Sequence, residues 1–123
     1  HAGLDRVFPT PATVAGLSVD AIATLGIIGA RTRTIIAVAT ALAEGRLRLV
    51  PGAALADTLV ALKALPGIGE WTAQYIAMRA LAASDAFPHT DYGVMKALDE
   101  RNPRRVLALG EQWRPYRAYA VMH

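Results

Sequence analysis

The chain contains no cysteine. That excludes disulfides, a thiol nucleophile, a cysteine-ligated zinc and an iron–sulfur cluster. Histidine is scarce: His1, His89 and His123 lie far apart, two of them at the ends, with no metal-ligand spacing among them. Lysine is nearly missing as well, with Lys63 and Lys96 against eleven arginines. No run of 18 or more apolar residues occurs, so no transmembrane helix is predicted and no membrane partner is expected. The start has no signal-peptide pattern. It also has no initiator methionine, and the abrupt beginning at His1 leads us to expect a piece of a longer protein.

What remains is 123 residues with 54% apolar composition, enough to bury a sizeable core. The net charge is +3 and the pI about 9.7. An arginine-dominated surface suits phosphate, because the planar guanidinium meets it bidentately. The same charge equally describes an ordinary solvated face.

Strand-like alternation is almost absent. Val14–Leu17 is weakly helical. Ser18 reads as an N-cap for "VDAIATL", with Gly26 past its end. Residues 31–44 carry apolar side chains at helical spacing and stop at Gly45. A helix opening at or just before Asp57 ends at Pro66. The next helix is expected over Gly69–Leu81 and another over Asp91–Glu100. Asn102 and Pro103 then cap and begin one reaching about Glu111, and Pro115 starts the last. These elements predict an all-α fold, a compact bundle of six to seven short helices over residues 1–123.

The stretch "LPGIGEW" interrupts two helices. Pro66 cannot continue a helix interior, while Gly67 and Gly69 permit positive φ and leave the backbone bare. Ile68 is placed to turn inward and pin the loop. The N–H groups at the start of the following helix form an anion-binding end. With Leu62 and Leu65 before it and Ala73, Ile76, Ala77 and Ala80 after it, the segment resembles a helix–hairpin–helix motif, a sequence-independent binder of the DNA backbone. Twenty-two residues after Gly69, Asp91 begins a helix in "FPHTDYGVMKAL". Alone, it reads as an N-cap.

Taken together, "ALKALPGIGEWTAQYIAMRAL" and "DAFPHTDYGVMKAL" resemble the helix–hairpin–helix DNA glycosylase superfamily, most of all its bacterial DNA-3-methyladenine glycosylase II branch. The likeness extends to "FPTPATVAGLSVDAIATLGI" and "EQWRPYRAYAVMH". It implies a base excision repair enzyme that flips an alkylated, cationic base such as 3-methyladenine or 7-methylguanine from duplex DNA and hydrolyses its N-glycosidic bond. Asp91 is then the catalytic carboxylate. Trp71 and Tyr75, four residues apart on one helix face, line the base pocket, where aromatic faces attract a cation. Pro66, Gly67, Ile68 and Gly69 hold the DNA backbone.

In relatives that also cut the DNA backbone, the position of Trp71 is a lysine that forms a Schiff base. An indole cannot, so the resemblance implies a monofunctional glycosylase without lyase activity. It implies no required cofactor and no catalytic metal. It does imply a sodium or potassium ion held at the hairpin by the backbone carbonyls of Leu65 and Gly67. It further implies a cytoplasmic, nucleoid-associated bacterial protein. Relatives carry further helices before this region, including a duplex-wedging residue, and often an N-terminal α/β domain; the chain is therefore expected to be fused to or associated with such a region.

The residues admit two other readings. One is a non-catalytic helix–hairpin–helix module that grips duplex DNA, with Asp91 only a cap. The other is a helical protein-interaction domain. Core packing is likewise the alternative for Trp71 and Tyr75.

Overall fold

The computed structural model describes Gly3 and residues 5–123. All regular structure among them is helical. The elements are α1 (Pro11–Ala15), α2 (Val19–Ala23), α3 (Gly29–Ala43), α4 (Leu55–Lys63), α5 (Glu70–Ala80), α6 (Tyr92–Ala97), α7 (Pro103–Gly110), a 3₁₀ turn (Glu111–Trp113) and α8 (Arg117–Met122). The all-α expectation holds. The described residues carry one helix more than seven because the weakly periodic first segment is a capped turn. Thr10 Oγ1 accepts from the Thr13 N–H at 3.2 Å, and Pro11 occupies the first helical position.

The other caps follow the sequence. Ser18 accepts from the Ala21 N–H at 3.1 Å, and Asn102 accepts from the Arg104 N–H at 3.0 Å. Asp57 is not a cap; it lies inside the first turn of α4, where the helix dipole favours an acid.

The chain divides into two compact units, one ending at Leu47 and the other beginning at Arg48. In the first, α1 and α2 pack on α3 around Val14, Ile22 and Ala39, with Ile27 and Ile36 against them. Thr32 is fully buried there and donates its hydroxyl to the Ile27 carbonyl at 3.1 Å, which removes the cost of burying it. In the second, Ala77, Leu81 and Ala86 form a core with Leu49, Leu55, Leu59 and Met78 around them. On α5, Ala73 and Ala77 are buried, Ile76 is half-buried and Ala80 is exposed, so its core face is narrower than the sequence suggests. All the candidate site residues lie in this second unit.

The hairpin between α4 and α5 is tight. Ile68 is buried and its N–H reaches the Leu65 carbonyl at 3.2 Å. Only one of the two glycines uses glycine's freedom. Gly67 has φ +82°, whereas Gly69 is extended at φ −91°, ψ −179°. A Cβ at Gly69 would meet no atom within 4 Å. Gly67→Ala is therefore expected to cost about 1–2 kcal/mol in urea denaturation. Gly69→Ala is expected to leave stability unchanged, because any side chain tolerates that backbone.

Candidate active site

The N-terminus of α6 brings the carboxylate of Asp91 to the first turn of α5. Asp91 caps α6: its Oδ1 accepts from the Gly93 N–H at 2.7 Å and the Val94 N–H at 3.2 Å. A Cβ at residue 93 would stand 3.0 Å from that oxygen, so glycine there leaves room for the cap. The other oxygen, Oδ2, accepts from the indole Nε1–H of Trp71 at 2.6 Å. The cap and the candidate catalytic carboxylate are thus one group with both oxygens engaged.

Trp71 stacks on Tyr75, with ring centroids 5.2 Å apart and planes 15° from parallel. The two residues are 41% and 43% exposed. That exposure argues against core packing as their role. Tyr75 and Asp91 both line a cleft of about 200 Å³, with Phe87, Pro88, Val94 and Trp113. It is smaller than the ~300–1,000 Å³ typical of drug-sized ligand sites and suits a compact ring.

The Trp71 bond holds the Asp91 carboxyl below the usual carboxylate range. Partial burial opposes this, and the Val94 and Gly93 N–H groups assist it. The group is therefore ionised at neutral pH. Because the folded value is depressed, the stability this carboxylate supplies is present above its unfolded pKa and is lost as pH falls through the folded one. Any activity that needs the anion should stay level through the ordinary aspartate range and fall only below it. Trp71→Phe keeps the stacking but removes the donor. Its acid limb is expected to move up in pH, read from a rate–pH profile of both proteins.

The loop before Asp91 is anchored at Phe87, which is 1% exposed. A Cβ at Gly110 would lie 2.4 Å from its ring, so α7 approaches Phe87 through a glycine. Trp113 meets the same ring edge-on at 5.9 Å, and the Arg117 guanidinium lies over it at 5.7 Å. Arg117 in turn donates to both carboxylate oxygens of Asp85, at 2.7 and 2.9 Å.

The structure thus brings Trp71, Tyr75 and Asp91 together. Pro66–Gly69 form the turn leading into α5, the helix that bears both aromatics. Neither lysine lines the cleft. Lys63 Nζ is bonded to Glu70 Oε2 at 2.8 Å, and Lys96 lines a separate pocket of about 500 Å³ with Tyr92 and Arg101. Sequence reading missed Trp113, Gln74 and the Asp85–Arg117 pair. Trp113 had a signal, an isolated aromatic between a helix end and a proline. Asp85 and Arg117 had none, since a pair 32 residues apart has no spacing rule. No group of three metal-ligating His, Asp or Glu side chains occurs among the described residues. No helix among them is long and apolar enough to cross a membrane.

No protein-family model matches the chain. Individual relatives do. It is 34% identical over 116 residues to DNA-3-methyladenine glycosylase 2 of Escherichia coli K12, covering 94% of this chain and 41% of that protein. It is 39% identical over 127 residues to a Mycobacterium tuberculosis H37Rv protein named "Probable bifunctional transcriptional activator/DNA repair enzyme AlkA", covering 100% of this chain and 25% of the relative. The chain therefore spans less than half the length of the curated relatives it matches. Along nearly all of its own length the chain is thus similar to part of proteins of this kind, and the likeness supports the helix–hairpin–helix DNA glycosylase family, on the DNA-3-methyladenine glycosylase II side.

Proposed function

We propose that the protein carrying this chain is a monofunctional DNA glycosylase that releases cationic alkylated bases, such as 3-methyladenine or 7-methylguanine, from duplex DNA. Because the chain spans less than half of these relatives, the activity is assigned to the whole protein rather than to this segment. The observation that carries the reading is the Trp71–Asp91 bond beside the Trp71–Tyr75 stack. An electron-rich aromatic face and an ionised carboxylate stand at one place, beside a cleft of ring size.

The chemistry follows from those groups. A base flipped from the duplex stacks on the aromatics, and its positive charge is attracted to their faces by about 0.5–2 kcal/mol. A cationic base is already a good leaving group, so no general acid is required. As the glycosidic bond lengthens, positive charge grows on the sugar. The Asp91 carboxylate, fixed by three N–H donors, stabilises that charge and orients the attacking water. Trp71 occupies the place where a Schiff-base lysine would act, and Lys63 is held by Glu70. Strand cleavage is therefore not part of the reaction.

The hairpin, Pro66–Gly69, holds the DNA backbone through the N–H groups of Gly67 and Gly69 and the N-terminal end of α5, while the Ile68 N–H stays on the Leu65 carbonyl and keeps the turn in shape. The carbonyls of Leu65 and Gly67 are the groups proposed to hold a sodium or potassium ion there. The Leu65 carbonyl already accepts one hydrogen bond, from Ile68 N–H, and keeps a second lone pair for such an ion. A DNA substrate implies a cytoplasmic, nucleoid-associated protein.

The test measures two things with the full-length protein and methylated duplex DNA: release of free methylated base, and nicking or borohydride trapping at abasic sites. Release without nicking or trapping is expected. Tight duplex binding without release would instead favour a DNA-gripping module. Absence of salt-dependent DNA binding would remove both readings.

A further inference from the structure

Helix α5 meets the Phe87–Asp91 segment at both of its ends. Trp71 bonds to Asp91, as described. One turn further along the same helix, Gln74 Oε1 accepts from the backbone N–H of Phe87 at 2.9 Å. The Gln74 carboxamide is itself oriented. Its Nε2 donates to Glu70 Oε1 at 3.0 Å, and Glu70 Oε2 accepts from Lys63 Nζ at 2.8 Å. The Phe87 N–H can only donate and the Glu70 carboxylate can only accept, so the two bonds permit one orientation of the amide. Between the clamped ends the segment folds on itself, with His89 N–H on the Phe87 carbonyl at 2.8 Å and Asp91 N–H on the Pro88 carbonyl at 2.9 Å. Phe87 and Pro88 are both buried, so a shift of the Phe87 backbone has no solvent-side slack to absorb it.

We propose that Gln74 is a positioning residue for Asp91. It fixes the start of the five-residue segment whose end carries the carboxylate, and the chain Lys63–Glu70–Gln74 links that point to the two helix ends flanking the hairpin. The consequence for rate rests on the glycosylase reading above; the consequence for Asp91's place does not.

The test uses the full-length protein with Gln74→Met, which keeps the length of the side chain and removes both bonds. The first readout is the indole Nε1–H resonance of Trp71 in nitrogen-15 spectra, assigned by its loss in Trp71→Phe. It reports the Trp71–Asp91 bond directly. It is expected to move most of the way toward its position in Asp91→Asn. The second is single-turnover base release at saturating protein, expected to fall roughly 10–100-fold, as misplacement of a reacting group does. Duplex affinity should change by less than about threefold, since no backbone contact to DNA is removed.

Gln74→Glu is the second variant. It can still accept from Phe87 N–H but sets a carboxylate against that of Glu70. Lowering the pH until the pair shares a proton should restore both the resonance and the rate, while Gln74→Met should show no such recovery. A folded Gln74→Met with the parental Trp71 resonance and a rate within about twofold of the parent would overturn the proposal, given the far larger loss that misplacement brings. If Gln74→Met does not fold, absence of recovery in Gln74→Glu at low pH would overturn it equally. If the parent releases no base yet the resonance moves in Gln74→Met, the glycosylase reading fails and the positioning role stands.

Discussion

Asp91→Asn is expected to fold and to lose base release by about 10²–10³-fold, the usual loss when one preorganised electrostatic contact is removed from a transition state. Asparagine caps helices about as well as aspartate, so α6 should keep its start. What changes is charge and acceptor count. Asp91 accepts three hydrogen bonds over two oxygens, two from α6 and one from Trp71. Asparagine has one acceptor oxygen. If that oxygen keeps the cap, the amide nitrogen faces the indole N–H, donor against donor, and the Trp71 bond is lost. Thermal unfolding should therefore show a modest drop, while base release in single turnover collapses. Duplex binding should persist, because the hairpin is untouched. The same substitution separates chemistry from simple DNA gripping: a module that only binds DNA has no rate to lose. Undiminished base excision by Asp91→Asn would remove the carboxylate from the mechanism.

Much of this site is legible along the chain, and the reasons are local. A capping aspartate after a proline loop, two aromatics four residues apart and a proline between helices with glycines after it are patterns whose physics plays out within a few residues. The Trp71–Asp91 bond is of another kind. It joins residues twenty apart, and only the packing of α5 beside the Asp91 loop brings them within reach. Family likeness implied Trp71 and Tyr75 for a base pocket and Asp91 for the chemistry; it did not tell that the Trp71 indole N–H bonds to Asp91, nor that Trp71 itself is not among the residues lining the cleft. At the hairpin, the residue types were informative and their conformations were not. Gly67 needs its positive φ, while Gly69 is the N-cap of α5 in an extended backbone that other residues can also adopt. The short first helix was underestimated for a related reason: a five-residue segment offers little periodicity, and its stability comes from Thr10, Pro11 and packing on α3.

The Asp85–Arg117 pair shows the same limit and predicts the largest loss of stability. Arg117 is 7% exposed, with its guanidinium bidentate to Asp85, bonded to the Asp85 carbonyl at 3.0 Å and to Glu111 Oε1 at 3.2 Å, above the Phe87 ring. Arg117→Met preserves much of the apolar stem and removes every one of those donors. Breaking a buried pair from one side costs about 3–5 kcal/mol, because the partner keeps its desolvation without its compensation. Arg114 also reaches Asp85, so the loss should sit near the lower end. Adding Asp85→Ala removes the stranded carboxylate. The double variant should therefore be destabilised by less than the sum of the two single changes, with a coupling of about 0.5–3 kcal/mol in a double-mutant cycle from urea denaturation. Loss in Arg117→Met below about 0.5 kcal/mol, the range of ordinary surface changes, would show the pair to be idle. Since Arg117 and Trp113 both rest on Phe87, and Phe87 opens the segment that ends at Asp91, the damage should reach the cleft: the folded fraction of Arg117→Met should also release base more slowly than the parent. A protein with parental rate per folded molecule would confine this ion pair to holding α8, and leave Gln74 and the close approach of Gly110 to hold the loop.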